Sequence, residues 1–199
     1  MDLMTDRITR EQIVGVAVEL LARGGLHALA MRRIASELGV QQSALYWHFD
    51  NKQQLLGAVA DRVVAPVVVP TGTTKDTPVE ALTARLRGEL LRYPDGAELV
   101  ATAFAFRLGA NDAYQHLVDE LERAGSARPH AEIAASVLWH FVLGYVTDEQ
   151  QHRQAAELGA IQPTTDEATL SADDRFTQAI DLILAGTSLS EASPPATLR

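Results

Sequence analysis

Apolar residues recur at helical spacing along most of the chain, and glycines and prolines mark the breaks. Between residues 31 and 38 they line one face of a short helix, and Gly39 follows where a helix can end in a left-handed cap. Leu45 and Phe49, four residues apart, form the buried side of a second helix predicted over residues 42–49. Two short helices joined by a glycine turn are typical of a helix-turn-helix, whose second helix fits the DNA major groove.

A longer helix is predicted ahead of this pair, over residues 10–22. Thr9 can cap it, and Gln12 completes a T-x-x-Q capping box. Gly24 and Gly25 end the pattern. The predicted buried stripe of this helix is Ile13, Val14, Ala17, Leu20 and Leu21.

A fourth helix is predicted to begin at Asn51 or Lys52, with Asp50 as its cap. It ends near Pro66, because proline removes a backbone donor and crowds the preceding turn. The segment VVAPVVVPTGTTKDTP overlaps that end and breaks the composition sharply, so we place the domain boundary within it.

The second half of the chain also shows helical periodicity. No segment alternates with period two for long enough to be a strand. The possible exception, VVAPVVV, is a poor strand candidate because of two prolines, which cannot donate a backbone hydrogen bond to a sheet. Residues 155–171 are predicted to be a loop. The predicted fold class is therefore all-α, with later helices over 78–92, 95–108, 111–124, 126–154 and 171–187.

The charge is unevenly distributed. The chain has 17 basic and 26 acidic residues and a net charge of −9, but residues 1–60 carry six of each sign and are neutral. A neutral amino-terminal part on an acidic body favours modest non-specific affinity for nucleic acid, with specificity carried by local contacts.

Composition excludes several other classes of protein. There is no cysteine, which excludes a disulfide framework and a thiolate metal site. No apolar run approaches the ~20 residues of a membrane span, and MDLMTDRITR lacks the features of a signal peptide. We expect a cytoplasmic protein without membrane contact.

The outward side chains of the helix over residues 42–49 suit DNA. Tyr46 and Trp47 are large, and each has one polar atom that could bond to the sugar-phosphate backbone. Gln42 can pair bidentately with adenine or donate to guanine, Ser43 is permissive, and Ala44 offers a methyl group to thymine.

Lys52, together with free amides at the start of the fourth helix, is placed to hold a phosphate. Arg32 lies on the helix that would cross the DNA backbone. The alternative is a plain three-helix domain with core aromatics and a solvated arginine pair. The candidate DNA-binding residues are Arg32, Gln42, Ser43, Ala44, Tyr46, Trp47, His48 and Lys52.

Two parts of the sequence resemble a known family. MRRIASELGV with LYWHFDNKQQLL resembles the DNA-binding signature of the tetracycline repressor (TetR) family, in which the position of Arg32 commonly reaches DNA. YPDGAELV and ASVLWHFVLGYVTDEQQH are similar to the ligand-binding region of the tetracycline-repressor branch. The resemblance implies a homodimeric regulator of transcription, usually a repressor, that an effector releases from a palindromic operator by shifting the middle helices and dragging the fourth.

The resemblance also suggests the domain organisation. It implies a three-helix helix-turn-helix DNA-binding domain followed by a helical ligand-binding and dimerisation domain. The apolar circumference of the helix over 126–154 and of the last helix favours a dimer interface over a merely well-buried core. The predicted order is a DNA-binding domain at 1–50, a connecting helix at 51–66, a linker at 67–77, the second domain at 78–187 and a disordered tail at 188–199.

The middle helices are predicted to enclose a pocket for a small-molecule effector. Most apolar positions at this spacing are plain core, and Thr102, His140 or Tyr145 could orient the effector. The candidate ligand-binding residues are Leu82, Leu86, Val100, Phe104, Leu117, Trp139, Phe141 and Tyr145.

Departures from the tetracycline repressor argue against its own ligand. Aligned on DGA, Val100 occupies the place of that repressor's metal-binding histidine, and Leu82 and Val68 replace polar groups that face the drug. Only Asp148 keeps the character of the outer-sphere carboxylate. Because valine cannot coordinate a hard cation, we expect an effector other than a metal–tetracycline complex, and no metal or other cofactor.

One motif allows a different class of protein. Glu149 and His152 form an E-x-x-H pair on one helix face, as in di-iron carboxylate bundles. Such sites need two of these motifs and two further carboxylates, and we find only one motif. A metal-dependent enzyme is therefore the alternative to the regulator. A protein-only adaptor is a third possibility, but it leaves Gln42, Trp47 and Lys52 unexplained.

Overall fold

The computed structural model describes residues 8–68, 78–161 and 170–191, with side chains up to residue 187. These residues are helical and contain no strand, as the sequence predicts. Short 3-10 helices, which the sequence did not predict, lie at Leu26–Ala28 and Ala65–Val67. The α-helices in the described ranges are α1 (Arg10–Gly24), α2 (Met31–Glu37), α3 (Gln42–Tyr46), α4 (Lys52–Val64), α5 (Val79–Leu91), α6 (Gly96–Ala105), α7 (Asn111–Arg123), α8 (Arg128–Glu157) and α9 (Ala172–Glu191).

The chain divides into two compact units. The first contains the described residues up to Pro66 together with Leu90–Asn111, so α6 belongs to the same unit as α1 to α4 and packs against α4. The second contains Val67–Glu89 and the residues from Asp112 onward. The predicted second domain, 78–187, includes α6, so it divides the chain differently, and its boundaries stay a prediction.

Parts of the predicted organisation fall outside the described ranges. They are residues 1–7 of the DNA-binding domain, residues 69–77 of the linker, residues 162–169 of the predicted loop and residues 192–199 of the tail. No helix in the described ranges is long and apolar enough to cross a bilayer.

The start of α1 confirms the predicted capping box. The Gln12 amide donates to Thr9 Oγ1 at 3.2 Å, and the Thr9 amide donates to Gln12 Oε1 at 2.7 Å. The helix ends at Gly24, and Gly25 follows with a left-handed φ of 65°. Its buried residues are those of the predicted stripe: Ile13, Val14, Ala17, Leu20 and Leu21.

Two predictions around α3 and α4 were wrong in detail. The cap of α4 is Asn51 and not Asp50, because Asn51 has the extended backbone of a cap and its side chain accepts from the Gln54 amide at 2.9 Å. α3 ends at Tyr46 instead of Phe49. The Phe49 amide still donates to the Leu45 carbonyl at 3.0 Å, so the chain keeps a helical path long enough to bury Phe49.

α6 begins at Gly96, next to the predicted start at Asp95, but it is shorter than predicted. It ends at Ala105 and not Leu108, because Arg107 takes a left-handed φ of 56° and the Leu108 amide turns back to the Ala103 carbonyl at 2.9 Å. Asp95 precedes it without a side-chain capping bond. Its carboxylate instead accepts from the Leu26 amide at 2.9 Å, within the first unit.

The last two helices are longer than predicted. α8 continues through residues 155–157 of the predicted loop, because these are good helix formers and the left-handed stop comes only at Gly159 (φ 69°). α9 runs to Glu191 and not 187, because Gly186 has no left-handed φ to end it. Ser171 caps its start through the Asp174 amide at 3.1 Å.

Candidate nucleic-acid interface and effector region

A tight glycine turn sets the angle between α2 and α3. Gly39 has a φ of 66°, which a residue with a side chain rarely adopts. Its amide donates to the Ser36 carbonyl at 3.2 Å, and the Val40 amide donates to the Ala35 carbonyl at 3.0 Å. These two bonds close α2 and turn the chain into α3, as the helix-turn-helix pattern predicts.

The two faces of α3 differ sharply in exposure. Leu45 and Phe49 are buried and anchor the helix in the first unit. Tyr46 is 47% exposed and Trp47 is 88% exposed. Because large aromatic side chains are seldom left in water without a use, this face is the strongest candidate surface for a ligand. Gln42 Nε2 donates to the Tyr46 hydroxyl at 3.3 Å, so these two side chains form one polar edge of that surface.

The remaining residues predicted on α3 are less uniform. Ser43 is exposed, whereas Ala44 and His48 are half-buried, so His48 faces solvent less fully than predicted. Arg10 holds this end of α3. Its Nη1 donates to the His48 carbonyl at 3.1 Å, and its Cζ lies 4.2 Å from the centre of the Phe49 ring. No local pattern in the sequence indicates this role of Arg10, because its partners His48 and Phe49 are distant in the chain.

Two cations stand on neighbouring helices. Arg32 is exposed on α2, and Lys52 is exposed at the first position of α4. The Asn51 side chain accepts a hydrogen bond from the Gln54 amide. The other amides in the first turn of a helix have no partner within the helix. The start of α4 therefore combines a positive side chain with backbone donors, which suits a phosphate.

The predicted ligand-binding residues divide between the two units. Val100, fully buried, and Phe104, half-buried, lie on α6 in the first unit. The other six lie in the second unit, where Phe141 and Tyr145 are half-buried. The fully buried ones are Leu82 and Leu86 on α5, Leu117 on α7 and Trp139 on α8.

Phe141 and Tyr145 help to join α8 to α9. Their rings lie 5.8 and 5.3 Å from the ring of Phe176, measured between centroids. The Tyr145 hydroxyl donates to the Ala172 carbonyl at 2.8 Å. In this structure the Tyr145 hydroxyl is therefore hydrogen-bonded to α9, whereas the sequence suggested that it could orient an effector.

Glu149, the acid of the E-x-x-H motif, is paired with an arginine. Arg87 on α5 donates from Nε and Nη2 to its two carboxylate oxygens, at 2.9 and 2.6 Å. Nη1 donates to Asp173 at 2.7 Å, and the guanidinium lies 5.0 Å from the centre of the Phe176 ring. The bonds to Glu149 raise the pKa of Arg87 above its ordinary value. Both carboxylate oxygens of Glu149 therefore accept hydrogen bonds from Arg87.

Other features of the described residues bear on ligands. No cluster of three His, Asp or Glu side chains in these ranges could hold a metal ion. A small apolar pocket in the first unit has a volume of about 20 Å³, room for about one water. Of the predicted effector contacts, only Thr102 lines it. Its walls are Leu26, Gln53, Leu56, Leu99, Thr102, Ala103, Phe106 and Leu108.

Apolar side chains remain exposed on the last two helices. They are Ile133 and Val137, four residues apart on α8, and Leu182 on α9. The sequence predicted an apolar excess on these helices, and these are its large exposed members among the side chains that the structure describes.

Comparison with known proteins identifies the family. The model of bacterial regulatory proteins of the tetR family matches residues 13–59, and the tetracyclin repressor-like C-terminal domain matches residues 70–189. The chain is 32% identical to the class C tetracycline repressor protein of Escherichia coli, over 91% of this chain and 84% of that protein.

Solved structures agree with this assignment. BioQ of Mycobacterium smegmatis is 31% identical with a TM-score of 0.79, over 92% of this chain and 98% of that one. A structure of BioQ with its double-stranded DNA operator is 30% identical with a TM-score of 0.73, over 91% and 98% of the two chains. The chain therefore belongs to the TetR family of bacterial transcriptional regulators.

Proposed function

We propose that this protein is a homodimeric transcriptional repressor that binds a palindromic operator through α3 and releases it when a small organic effector binds. It acts in the cytoplasm, by binding and not by catalysis. The observation that carries the proposal is the exposed Tyr46–Trp47 face on a helix whose opposite side is buried. The related BioQ has been solved with its double-stranded DNA operator, which supports operator binding as the function of this chain.

The residues of the reading surface fall into three groups with different roles. Gln42 reads a base edge in the major groove, with Ser43 and Ala44 beside it. Tyr46, Trp47 and His48 lie along the sugar-phosphate backbone. The cations Arg32 and Lys52 contact phosphates and supply most of the salt-dependent affinity.

Dimerisation uses α8 and α9. Ile133 and Val137 on α8 and Leu182 on α9 are exposed apolar side chains that a second copy of the chain would cover. A twofold dimer presents two α3 helices to half-sites ~34 Å apart, one turn of DNA. The twofold symmetry of such a dimer explains why the operator is expected to be palindromic.

The effector is an organic molecule other than a metal–tetracycline complex. Val100 stands at the position of the tetracycline repressor's metal-binding histidine, and it is fully buried and has no donor atom for Mg²⁺. Leu82, also buried, offers no polar group. The effector region is expected to involve the residues predicted from the sequence: Leu82, Leu86, Val100, Phe104, Leu117, Trp139, Phe141 and Tyr145.

Footprinting on the DNA upstream of the protein's own gene tests the proposal. We expect two protected half-sites related by a twofold axis, with centres about one helical turn apart or a multiple of it. Doxycycline with Mg²⁺ is expected to leave the footprint unchanged. Absence of any protected site would refute the DNA-binding proposal, whereas release by doxycycline with Mg²⁺ would refute only the effector assignment.

A further inference from the structure

α3 is too short to hold its own carboxyl end. It has five residues, Gln42–Tyr46, and a helix of that length is not stable by itself in water. The last carbonyls of a helix have no donor within it, and their partial negative charge favours a nearby cation. Trp47, which is almost fully exposed, follows this helix directly. The order of the chain at Trp47 and His48 therefore depends on contacts from outside α3.

An arginine on α1 supplies such a contact. Arg10 Nη1 donates to the His48 carbonyl at 3.1 Å, across 38 positions of sequence. The guanidinium carbon lies 4.2 Å from the centre of the Phe49 ring, within the range of a cation–π contact. Phe49 is buried, so its ring gives the guanidinium a fixed support. Arg10 thus acts as a carboxyl-terminal cap for α3, although it belongs to a different helix.

A second tie holds the next part of the same turn. Gln54 Nε2, on α4, donates to Asp50 Oδ2 at 2.9 Å. The turn between α3 and α4 is therefore held by Arg10 from α1 and by Gln54 from α4. Both ties fall between Trp47 and Lys52, so they fix the stretch of backbone that joins this aromatic side chain to this cation.

We propose that Arg10 is a positioning residue for sequence reading, which holds the carboxyl end of α3 in the conformation that operator DNA requires. It acts through α3 and not through a phosphate. Because this end of the helix is ordered before DNA arrives, less binding free energy is lost in ordering it. Random DNA is bound mainly through phosphate contacts, such as those proposed for Arg32 and Lys52, which depend less on the exact orientation of α3.

The inference rests on the proposed function, because it adds a residue to the reading of the operator. Its specific consequence is that Arg10 affects discrimination between operator and random DNA more than it affects overall affinity for DNA.

Arg10→Met tests this role, because methionine keeps a long side chain but removes the charge and the donor. Discrimination between operator and random DNA of equal length should fall about 4–30-fold for each head, the combined effect of a cation at a helix terminus and an exposed cation–π contact. The slope of log affinity against log salt should not change, since no phosphate contact is lost. The Phe49 amide, which donates to the Leu45 carbonyl at 3.0 Å, should exchange its hydrogen faster in the free variant.

Arg23→Met is the matched control. Arg23 lies on the same helix, and its ion pairs are with Glu19 of α1 and Glu37 of α2 and not with α3. This variant removes the same charge from α1 by the same substitution. It should therefore change neither the discrimination between the two DNAs nor the exchange of the Phe49 amide.

Three results would overturn the inference. A salt slope shallower than that of the control by about one per head would mean that Arg10 binds a phosphate. A lower melting temperature with unchanged discrimination would mean that Arg10 only stabilises the fold. Unchanged discrimination and unchanged exchange would mean that its contact with α3 is passive. If the unmodified protein shows no preference for the operator, the proposed function fails; if it does and Arg10→Met keeps that preference in full, only this inference fails.

Discussion

The chain has two tryptophans with opposite surroundings, and replacing each tests the account in a different way. Trp47 is 88% exposed on α3, whereas Trp139 on α8 is completely buried, with its ring 5.9 Å from that of Tyr114. We predict that Trp47→Ala impairs operator binding without affecting the fold. Trp139→Ala should do the reverse, since it affects stability first.

The magnitudes follow from exposure. Trp47 makes few contacts to lose in the free protein, so Trp47→Ala should change the free energy of unfolding by at most about 0.5 kcal/mol. On DNA, a hydrogen bond from the indole N–H to a charged phosphate contributes about 1.5–3 kcal/mol. Its loss would lower operator affinity about 10–150-fold for each head. Removing the buried Trp139 should cost about 3–5 kcal/mol and lower the melting temperature by about 6–20 °C.

Thermal melting and fluorescence anisotropy with labelled operator measure the two quantities independently. The Trp47→Ala variant should melt at the same temperature as the unmodified protein and bind the operator weakly. An unchanged operator affinity would remove Trp47 from the DNA-binding surface. A large fall in melting temperature would instead show that the exposed indole stabilises the fold, contrary to the account.

Three further predictions concern single side chains. Gln42→Ala should reduce discrimination between operator sequences by about 1–3 kcal/mol, measured on a panel of single-base variants; uniform weakening would mean that Gln42 only positions the protein. Lys52→Ala should make the slope of log affinity against log salt shallower by about one per head, and an unchanged slope would exclude a phosphate contact. Arg87→Met should lower the free energy of unfolding by about 1.5–3 kcal/mol in denaturant titrations, because Glu149, only 19% exposed, loses a charged partner. Arg62→Met is its control, because the partner of Arg62, Glu11, is well exposed, and it should lower the free energy of unfolding much less. Equal losses of stability in the two variants would contradict the importance of burial.

Local signals in the sequence predicted the amino-terminal helices well. The T-x-x-Q box fixed the start of α1, and Gly39 fixed the turn before α3, because both depend on residues within one turn of each other. The burial of Leu45 and Phe49 followed from their spacing alone. Neighbouring candidates were harder to separate, since Asp50 and Asn51 are both good caps and only the backbone conformation selects Asn51.

Contacts between distant segments could not be predicted in the same way. The bond from Ala110 to Asp61 and the close approach of Gly57 to Leu108 join positions about fifty residues apart in sequence, and glycine at such positions has many possible uses. Arg87 is a similar case. Its pairing with Glu149 joins residues 62 positions apart and could not be seen in the sequence. Without that pairing, the E-x-x-H motif resembled half of a metal site.

The most direct test of the central claim is salt-dependent binding of the purified protein to a fragment of its own upstream DNA, against random DNA of equal length. The account predicts a preference within the ~10³–10⁷-fold range of specific DNA-binding proteins, with log affinity falling linearly as log salt rises. Equal affinity for the two DNAs at every salt concentration would contradict the claim that α3 reads sequence.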